Sequence, residues 1–193
     1  MAGVLIIISG PSGVGKTTVC DELARRLDAF LSVSCTTRPR RENEVDGQDY
    51  WFISREEFER RLQHGGFLEW ARVYGGHDYG TPAEPVRQAL AAGRVVILEI
   101  EIEGTLQVRR QFPEAIAVYM LAPSSTDQRD RIVGRRKDSS EAIRERLSKA
   151  DGEIGYARDC GAYRHFIVNE AVEATVDEIV RIVHAAQREK TSV

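Results

Sequence analysis

Cysteine is scarce in this chain, and the three that occur lack the spacing of a metal site or a disulfide framework. Cys20, Cys35 and Cys160 form no CxxC pair and stand near no histidine pattern. An odd number of cysteines without such a framework favours a reducing compartment. We therefore expect a cytoplasmic protein, and we expect its histidines to be structural or exposed.

Long apolar runs are also missing. A transmembrane helix needs about 20 predominantly apolar residues, whereas the amino-terminal run covers only residues 4–8 and no basic segment precedes it. That run is too short for a signal sequence or a membrane span and is typical of a buried strand. Hydrophobic residues still make up 42% of the 193 residues and charged residues 30%, which indicates a globular protein with no membrane partner.

Lysine is rare, since 4 of the 27 basic residues are lysines and 23 are arginines. A lone arginine therefore carries little information, whereas a lysine inside a motif carries much. The formal net charge of −3 means that the chain as a whole is not built to hold a polyanion. No nucleic-acid partner is expected.

Apolar runs without polar alternation recur along the chain, and such runs predict strands covered on both faces of a parallel sheet. They cover residues 4–8, 95–100, 115–121 and 166–168. Helical patterns lie between them, the first in residues 16–27. Thr81 followed by Pro82 and Glu84 predicts a further helix with Thr81 as its N-cap. This alternation predicts an α/β fold, a parallel sheet flanked by helices.

Two segments interrupt the alternation. Short strand-like pieces, the first at residues 31–35, and one helix with a Ser54–Glu57 capping box predict a small β-rich subdomain at 34–80. The highly charged residues 124–158 predict two helices joined near Arg136–Ser139, a candidate mobile lid. The remaining core of this single domain comprises residues 1–33, 81–123 and 159–193.

Residues 10–17 match the phosphate-binding pattern GxxxxGK[ST], for which composition alone predicts about 0.003 chance matches in the chain. An apolar strand precedes the pattern and a helical segment follows it, as this loop requires. Glycines let backbone N–H groups turn toward phosphate oxygens, and the helix adds its positive end. We expect Lys16 to reach the terminal phosphates and the Thr17 hydroxyl to bind Mg²⁺. The predicted nucleoside-triphosphate contacts are Gly10, Pro11, Ser12, Gly13, Val14, Gly15, Lys16, Thr17 and Thr18.

The stretch SCTTRPRR at residues 34–41 concentrates three arginines, Arg38, Arg40 and Arg41. Taken alone, they could form an exposed charged surface, a nucleic-acid arm or a clamp for one anion. The nucleic-acid arm is the least favoured, because the net charge is negative and no aromatic residues alternate with the arginines. The planar fork of arginine suits bidentate contact with phosphate oxygens.

The surrounding motifs favour the clamp. In chain order they are SGPSGVGKTT, SVSCTTRPRR, GQDYWF, REEFERRL, GGFLEWARVYG, DYGTP, ILEIEIEG, GRRKDSSEAIRERL and FIVN. This series resembles the guanylate kinase family over essentially the whole chain. The resemblance implies phosphoryl transfer from ATP, with Mg²⁺, to GMP and also to dGMP, and it makes residues 34–80 the subdomain that binds the nucleoside monophosphate.

The resemblance also implies a role for individual residues. The acceptor phosphate would be held by Arg38, Arg41, Tyr50 and Tyr79, and the base by Ser34, Glu69, Thr81 and Glu101. On the donor side, Arg131, Arg135 and Arg146 would contact the phosphates, and Asn169 would approach the adenine. The catalytic set would be Lys16, Arg38, Arg135 and Arg146. Arg40 is expected to face solvent.

The chemistry of guanine is compatible with the predicted base site. Guanine presents acceptors at O6 and N7 and a donor at its 2-amino group, and its N1–H donates beside that group. Hydroxyl groups paired with carboxylates match this edge, whereas adenine would leave buried polar groups unpaired. Glu99 and Glu101 lie at the carboxyl end of a predicted parallel strand, where open α/β sheets bind ligands.

Two alternatives to a GMP kinase remain. One is a non-catalytic interaction module with the same fold that binds an acidic or phosphorylated peptide, and the other is a small kinase with a different phosphorylated acceptor. The intact Gly10, Gly15, Lys16 and Thr17 favour an enzyme. We also expect the two flanking subdomains to close over the core when substrates bind. The sequence leaves open whether the protein is a monomer or a homo-oligomer.

Overall fold

The computed structural model describes residues 3–73, 75–134 and 152–191. The elements follow in the order β1 (Val4–Ser9), α1 (Lys16–Leu27), β2 (Phe30–Leu31), β3 (Cys35–Thr36), β4 (Trp51–Phe52), α2 (Arg55–Gln63), β5 (Phe67–Val73), β6 (His77–Pro82), α3 (Ala83–Ala91), β7 (Val95–Glu99), α4 (Ile102–Gln111), β8 (Ile116–Leu121), α5 (Ser125–Gly134), α6 (152–159), β9 (His165–Val168) and α7 (Val172–Thr191). None of the helices in these ranges is long and apolar enough to cross a membrane.

The first sheet has the strand order β2-β7-β1-β8-β9, and every pairing in it is parallel. The central strands β1, β7 and β8 are largely buried on both faces, as predicted from their unbroken hydrophobicity. The prediction is wrong for the run at residues 166–168, because β9 lies at the edge of the sheet and Val168 is exposed. Ile7 packs toward α3 and α4 on one face. The neighbouring Ile6 and Ile8 pack toward α1 and α7 on the other. The predicted α/β fold is therefore confirmed.

The second sheet has the order β4-β3-β6-β5 and mixes one parallel pairing with antiparallel ones. Residues 31–35, predicted as one strand-like piece, are divided between the two sheets. Leu31 in β2 pairs with β7 of the first sheet, and Cys35 in β3 pairs with β4 and β6 of the second. The chain crosses from the first sheet to the second between these two residues. Leu31 packs in the core under α1 and α7, whereas the Cys35 side chain is buried outside that cluster.

The predicted N-cap at Thr81 is wrong. Helix α3 starts at Ala83, its N-cap is Pro82, and no side chain caps it. Thr81 is the last but one residue of β6, because pairing with β5 continues to Pro82. Its hydroxyl donates to Glu69 Oε1 at 2.6 Å instead. The Thr81 hydroxyl, which the local sequence predicts as a helix cap, thus bonds the buried Glu69 carboxylate instead.

Of the capping box predicted at Ser54 and Glu57, the Ser54 half is confirmed, since its hydroxyl accepts a hydrogen bond from the Glu57 N–H at 3.2 Å. The Glu57 carboxylate pairs with Arg60 and Arg61. Helices α5 and α6 lie in the segment predicted as a lid. The junction predicted near Arg136–Ser139 lies outside the described residues, and the division into core, subdomain and lid stays a prediction.

A buried hydroxyl cluster ties the end of β1 to α4. The Thr105 hydroxyl lies 2.9 Å from Ser9 Oγ and accepts a bond from the Tyr163 hydroxyl at 2.9 Å. It also donates to the Glu101 carbonyl at 3.0 Å, and Ser9 Oγ donates to the Ile100 carbonyl at 2.6 Å. Ser9 and Thr105 are completely buried. The cluster therefore fixes the start of α4 against the strand that leads into residues 10–17.

Replacing Thr105 with Val keeps the shape of the side chain and removes this hydroxyl. We expect Thr105→Val to lower the free energy of unfolding by about 1–3 kcal/mol, because the Tyr163 hydroxyl loses one of its buried partners. Urea denaturation followed by circular dichroism measures the effect. Adding Tyr163→Phe to Thr105→Val should cost less than the sum of the two single changes, and strict additivity would contradict the proposed coupling.

Candidate active site

The loop between β1 and α1 has the backbone geometry of a phosphate-binding loop. Gly10, Gly13 and Gly15 adopt φ angles of 148°, 84° and 92°, in the region that favours glycine. A side chain at Gly10 would collide with the Met120 carbonyl, and one at Gly15 would meet the Asn169 amide at 2.7 Å. α1 begins at Lys16, so its amino-terminal N–H groups face the loop. All nine predicted triphosphate contacts from Gly10 to Thr18 lie in this loop or in the first turn of α1.

Asn169 holds the loop from the end of β9. Its Nδ2 donates to the Val14 carbonyl at 2.8 Å, and its Oδ1 accepts from the Thr175 hydroxyl at 2.9 Å. Arg131 of α5 donates to the Asn169 carbonyl at 3.1 Å and to the Val14 carbonyl at 3.4 Å. Asn169 and Arg131, two of the residues predicted to contact ATP from outside the loop, thus both bind the loop backbone, and Arg131 also binds Asn169.

Gln128 is a third support that the sequence interpretation missed. It is buried on α5, and its Nε2 donates to the Ser12 carbonyl at 2.7 Å. No motif identifies it, because Gln128 and Ser12 are 116 positions apart. The available signal was weak: an uncharged amide in a segment otherwise rich in charge.

Lys16 and Thr17 face the carboxyl ends of the central strands. The Lys16 ammonium donates to the carbonyls of Gly10 and Pro11, at 2.5 and 3.3 Å. The Thr17 hydroxyl donates to Glu99 Oε1 at 3.1 Å, at the end of β7. Burial raises the pKa of Glu99, and the Lys16 charge and the Thr17 bond oppose that rise. Glu99 is thus a half-buried acid that a nearby cation would stabilise in its charged form.

Arg38 lies at the centre of the second predicted region. Its guanidinium forms a bidentate bond with Glu44, at 3.0 and 2.8 Å, and its Nε donates to the Tyr79 hydroxyl at 3.1 Å. The same group lies 5.6 Å from the ring centroid of Tyr50, and the Tyr50 and Tyr79 rings are 5.7 Å apart, edge to face. Burial raises the pKa of Tyr50 to about 12, so its hydroxyl stays a donor at neutral pH. Three of the four predicted phosphate ligands therefore lie together.

Glu44 organises the predicted arginine cluster, although no sequence signal indicated it. Its Oε2 accepts the backbone N–H of Arg41 at 2.8 Å, and its carbonyl accepts from Arg40 Nη1 at 2.5 Å. The Arg38 hydrogen bond, followed by the Arg41 N–H, holds the pKa of Glu44 below its usual value. The Arg41 side chain is 54% exposed, and Arg40 is exposed as expected. Arg41 is thus the more accessible of the two predicted phosphate-binding arginines.

Three of the four predicted base-reading residues lie close together. Glu69 is buried, and its Oε1 accepts both the N–H and the hydroxyl of Thr81, at 3.0 and 2.6 Å. Burial raises the pKa of Glu69, the Thr81 bonds lower it, and the negative charge of Glu101 raises it again. Glu101 is exposed and forms the N-cap of α4. Ser34 directly precedes β3, and its carbonyl accepts the Trp51 N–H at 2.9 Å.

Arg135 and Arg146 lie outside the described residues, so their predicted roles stay predictions.

Residues 3–186 match the family model described as Guanylate kinase. A guanylate kinase of Thermus thermophilus is 45% identical over 188 residues, which is 97% of this chain and 84% of that protein. A guanylate kinase of Clostridium tetani is 44% identical over 183 residues, 95% of this chain and 86% of that protein. The crystal structure of guanylate kinase from Anaplasma phagocytophilum superposes with a TM-score of 0.77 at 33% identity, covering 96% of this chain and 87% of that one.

The Arg38–Glu44 pair predicts a defined pH dependence of stability. Because the folded-state pKa of Glu44 is lowered, the stabilisation is present above the usual glutamate range and is lost as the pH falls through the depressed pKa. We expect Glu44→Gln to lower the free energy of unfolding by about 1–3 kcal/mol at pH 7. The difference from the unmodified protein should shrink toward about pH 3. Urea denaturation across this range measures it, with the exposed Glu42→Gln as a control, and a pH-independent difference would contradict the assignment.

Proposed function

The chain belongs to the guanylate kinase family, and we propose that it transfers the γ-phosphoryl group of ATP to GMP, giving ADP and GDP. The observation that carries the acceptor identity is the buried Glu69 carboxylate, bonded to Thr81 and close enough to Glu101 to feel its charge. Two carboxylates are acceptors for the N1–H and 2-amino donors of guanine, and adenine lacks that pair of donors. Relatives at 42–46% identity are guanylate kinases, which supports the same assignment.

The donor nucleotide binds the loop at residues 10–17 in this proposal. The inward-facing backbone N–H groups and the start of α1 hold its phosphates. Lys16 exchanges its bonds to the loop carbonyls for bonds to the terminal phosphates, at little cost because the same ammonium is satisfied in both arrangements. Asn169, Arg131 and Gln128 keep the loop in shape by binding its carbonyls from outside.

Mg²⁺ fits the oxygen atoms beside this loop. The Thr17 hydroxyl and the Glu99 carboxylate lie 3.1 Å apart, and Mg²⁺ is typically held by one or two protein oxygens together with water and substrate phosphates. We propose Thr17 as a direct ligand and Glu99 as the acid that faces the ion. The ion supplies charge neutralisation on the phosphates during transfer.

Arg38, Arg41, Tyr50 and Tyr79 hold the acceptor phosphate in this proposal. Arginine forks and tyrosine hydroxyls are donors, and a phosphate dianion is a multiple acceptor. The attacking phosphate oxygen is already anionic, so no general base is needed and the enzyme mainly aligns the two substrates and neutralises their charge. Arg135 and Arg146 complete the positive surroundings of the transferred group. Because none of the proposed groups needs the ribose 2′-hydroxyl, dGMP is included as an acceptor.

Acceptor selectivity tests the proposal. In a coupled assay of ADP release, GMP should be turned over fastest, dGMP next, and AMP and UMP about 10⁴-fold less efficiently, because neither adenine nor uracil presents the adjacent pair of donors that Glu69 and Glu101 would accept. Absence of turnover with any nucleotide would contradict the kinase assignment and favour an interaction module. Preference for AMP would contradict the role of Glu69.

Arg38→Ala tests the acceptor side separately from the donor side. We expect kcat/KM for GMP to fall about 10²–10³-fold, because a charged donor to the acceptor phosphate is lost. The Kd of ATP, measured by calorimetry, should stay unchanged, because no described contact joins Arg38 to the loop at residues 10–17. Arg40→Ala in the same turn is the control and should leave both values near normal. An equal loss of ATP affinity in Arg38→Ala would contradict the assignment of Arg38 to the acceptor phosphate.

A further inference from the structure

Helix α4 links the two carboxylates that are proposed to recognise guanine. It begins directly after Glu101, its N-cap, and one side of it packs on β5, the strand that carries Glu69. Gly104, Gln107 and Gln111 are three and four positions apart and therefore share one side of the helix. These three residues are called the β5-facing side of α4 below.

The two glutamines fix the backbone on both sides of Glu69. Gln107 Oε1 accepts the Trp70 N–H at 3.2 Å, and its Nε2 donates to the Trp70 carbonyl at 2.8 Å. Gln111 Nε2 donates to the Leu68 carbonyl at 2.6 Å. β5 is the last strand in the order of its sheet, so these backbone groups point away from β6. The two glutamine side chains thus bond the edge of β5 that faces away from β6, in the place where a neighbouring strand would pair.

Gly104 makes room for the Glu69 side chain. A Cβ atom at Gly104 would lie 2.5 Å from Glu69 Oε2 and 3.0 Å from its Cδ. The backbone of Gly104 is helical, so no unusual φ angle requires glycine there. Glycine inside a helix costs about 1 kcal/mol relative to alanine. The space that it leaves is occupied by the carboxylate, whose other oxygen is held by Thr81.

We propose that the β5-facing side of α4 (Gly104, Gln107 and Gln111) consists of positioning residues that determine the base specificity of the acceptor site. They hold the Glu69 carboxylate against the first turn of the helix whose N-cap is Glu101, so the spacing between the two acids is set by one rigid element. This inference rests on the proposed function, because it assumes that Glu69 accepts hydrogen bonds from guanine. An error of about 1 Å in the position of such a group can cost about 10²-fold.

Gly104→Ala is the direct test, because alanine favours the helix and displaces only the carboxylate. We expect the KM for GMP to rise about 10- to 100-fold with a much smaller change in kcat. The KM for ATP should stay unchanged, and the ratio of GMP to AMP efficiency should fall. The exposed Glu103→Ala in the same turn is the matched control. Urea denaturation checks that every variant remains folded.

A double-mutant cycle separates positioning from a general effect on structure. In the Glu69→Ala background no carboxylate remains to be displaced, so Gly104→Ala should have almost no further effect on the KM for GMP. Equal effects in both backgrounds, or an equal rise of the KM for ATP, would overturn the inference. If Glu69→Ala itself left the KM for GMP unchanged, the proposed role of Glu69 in base recognition would be wrong instead.

Gln107→Leu provides a second, independent variant. It keeps the approximate size of the side chain and removes both hydrogen bonds to the Trp70 backbone. The backbone next to Glu69 then loses its attachment to α4 at this position. We expect the KM for GMP to rise about tenfold and the KM for ATP to stay unchanged. The exposed Arg110→Ala on the same helix serves as its control. A normal KM for GMP in a folded Gln107→Leu protein would exclude Gln107 from the positioning set.

Discussion

The buried hydroxyl of Thr105 is the point on which both halves of the candidate site depend. On one side it meets Ser9, the residue that enters the glycine-rich loop. On the other it binds the carbonyl of Glu101, the N-cap of α4. A displacement of the start of α4 relative to the loop at residues 10–17 would break hydrogen bonds that are shielded from water, which is costly. The position of Glu101 relative to the glycine-rich loop is therefore fixed by the buried core.

The charged groups of the candidate site are ordered in advance by neighbouring groups of opposite charge or hydrogen-bonding partners. Glu44 holds the Arg38 guanidinium and the Arg41 N–H, Thr81 holds the Glu69 carboxylate, and Thr17 holds Glu99. The sequence left several interpretations of the arginines at residues 34–41. An exposed charged surface does not fit Arg38, because its side chain is only 13% exposed. Such preorganisation lowers the cost of arranging charge when a substrate binds.

The sequence was informative where function depends on residues close together in the chain. The apolar runs predicted the parallel sheet, and the spacing of Gly10, Gly15 and Lys16 predicted the loop whose geometry is observed. It was misleading at Thr81, where a local helix-start pattern was overridden by strand pairing and a carboxylate 12 positions away. Glu44 and Gln128 were missed because each acts through contacts that neither periodicity nor a motif marks. Gly104 lies in the motif ILEIEIEG, but only the packing of α4 on β5 shows why a glycine is needed there.

The sequence by itself thus determined the α/β class, the glycine-rich loop and the family, because these follow from hydrophobic periodicity and from motifs that span few residues. Only the tertiary structure decided how the acids are held. Glu69 stands beside Gly104 because β5 packs on α4, and Gln107 and Gln111 bind the strand edge on either side of it. Contacts between residues about 35 to 43 positions apart arise from packing and the satisfaction of buried polar groups, which no local pattern encodes.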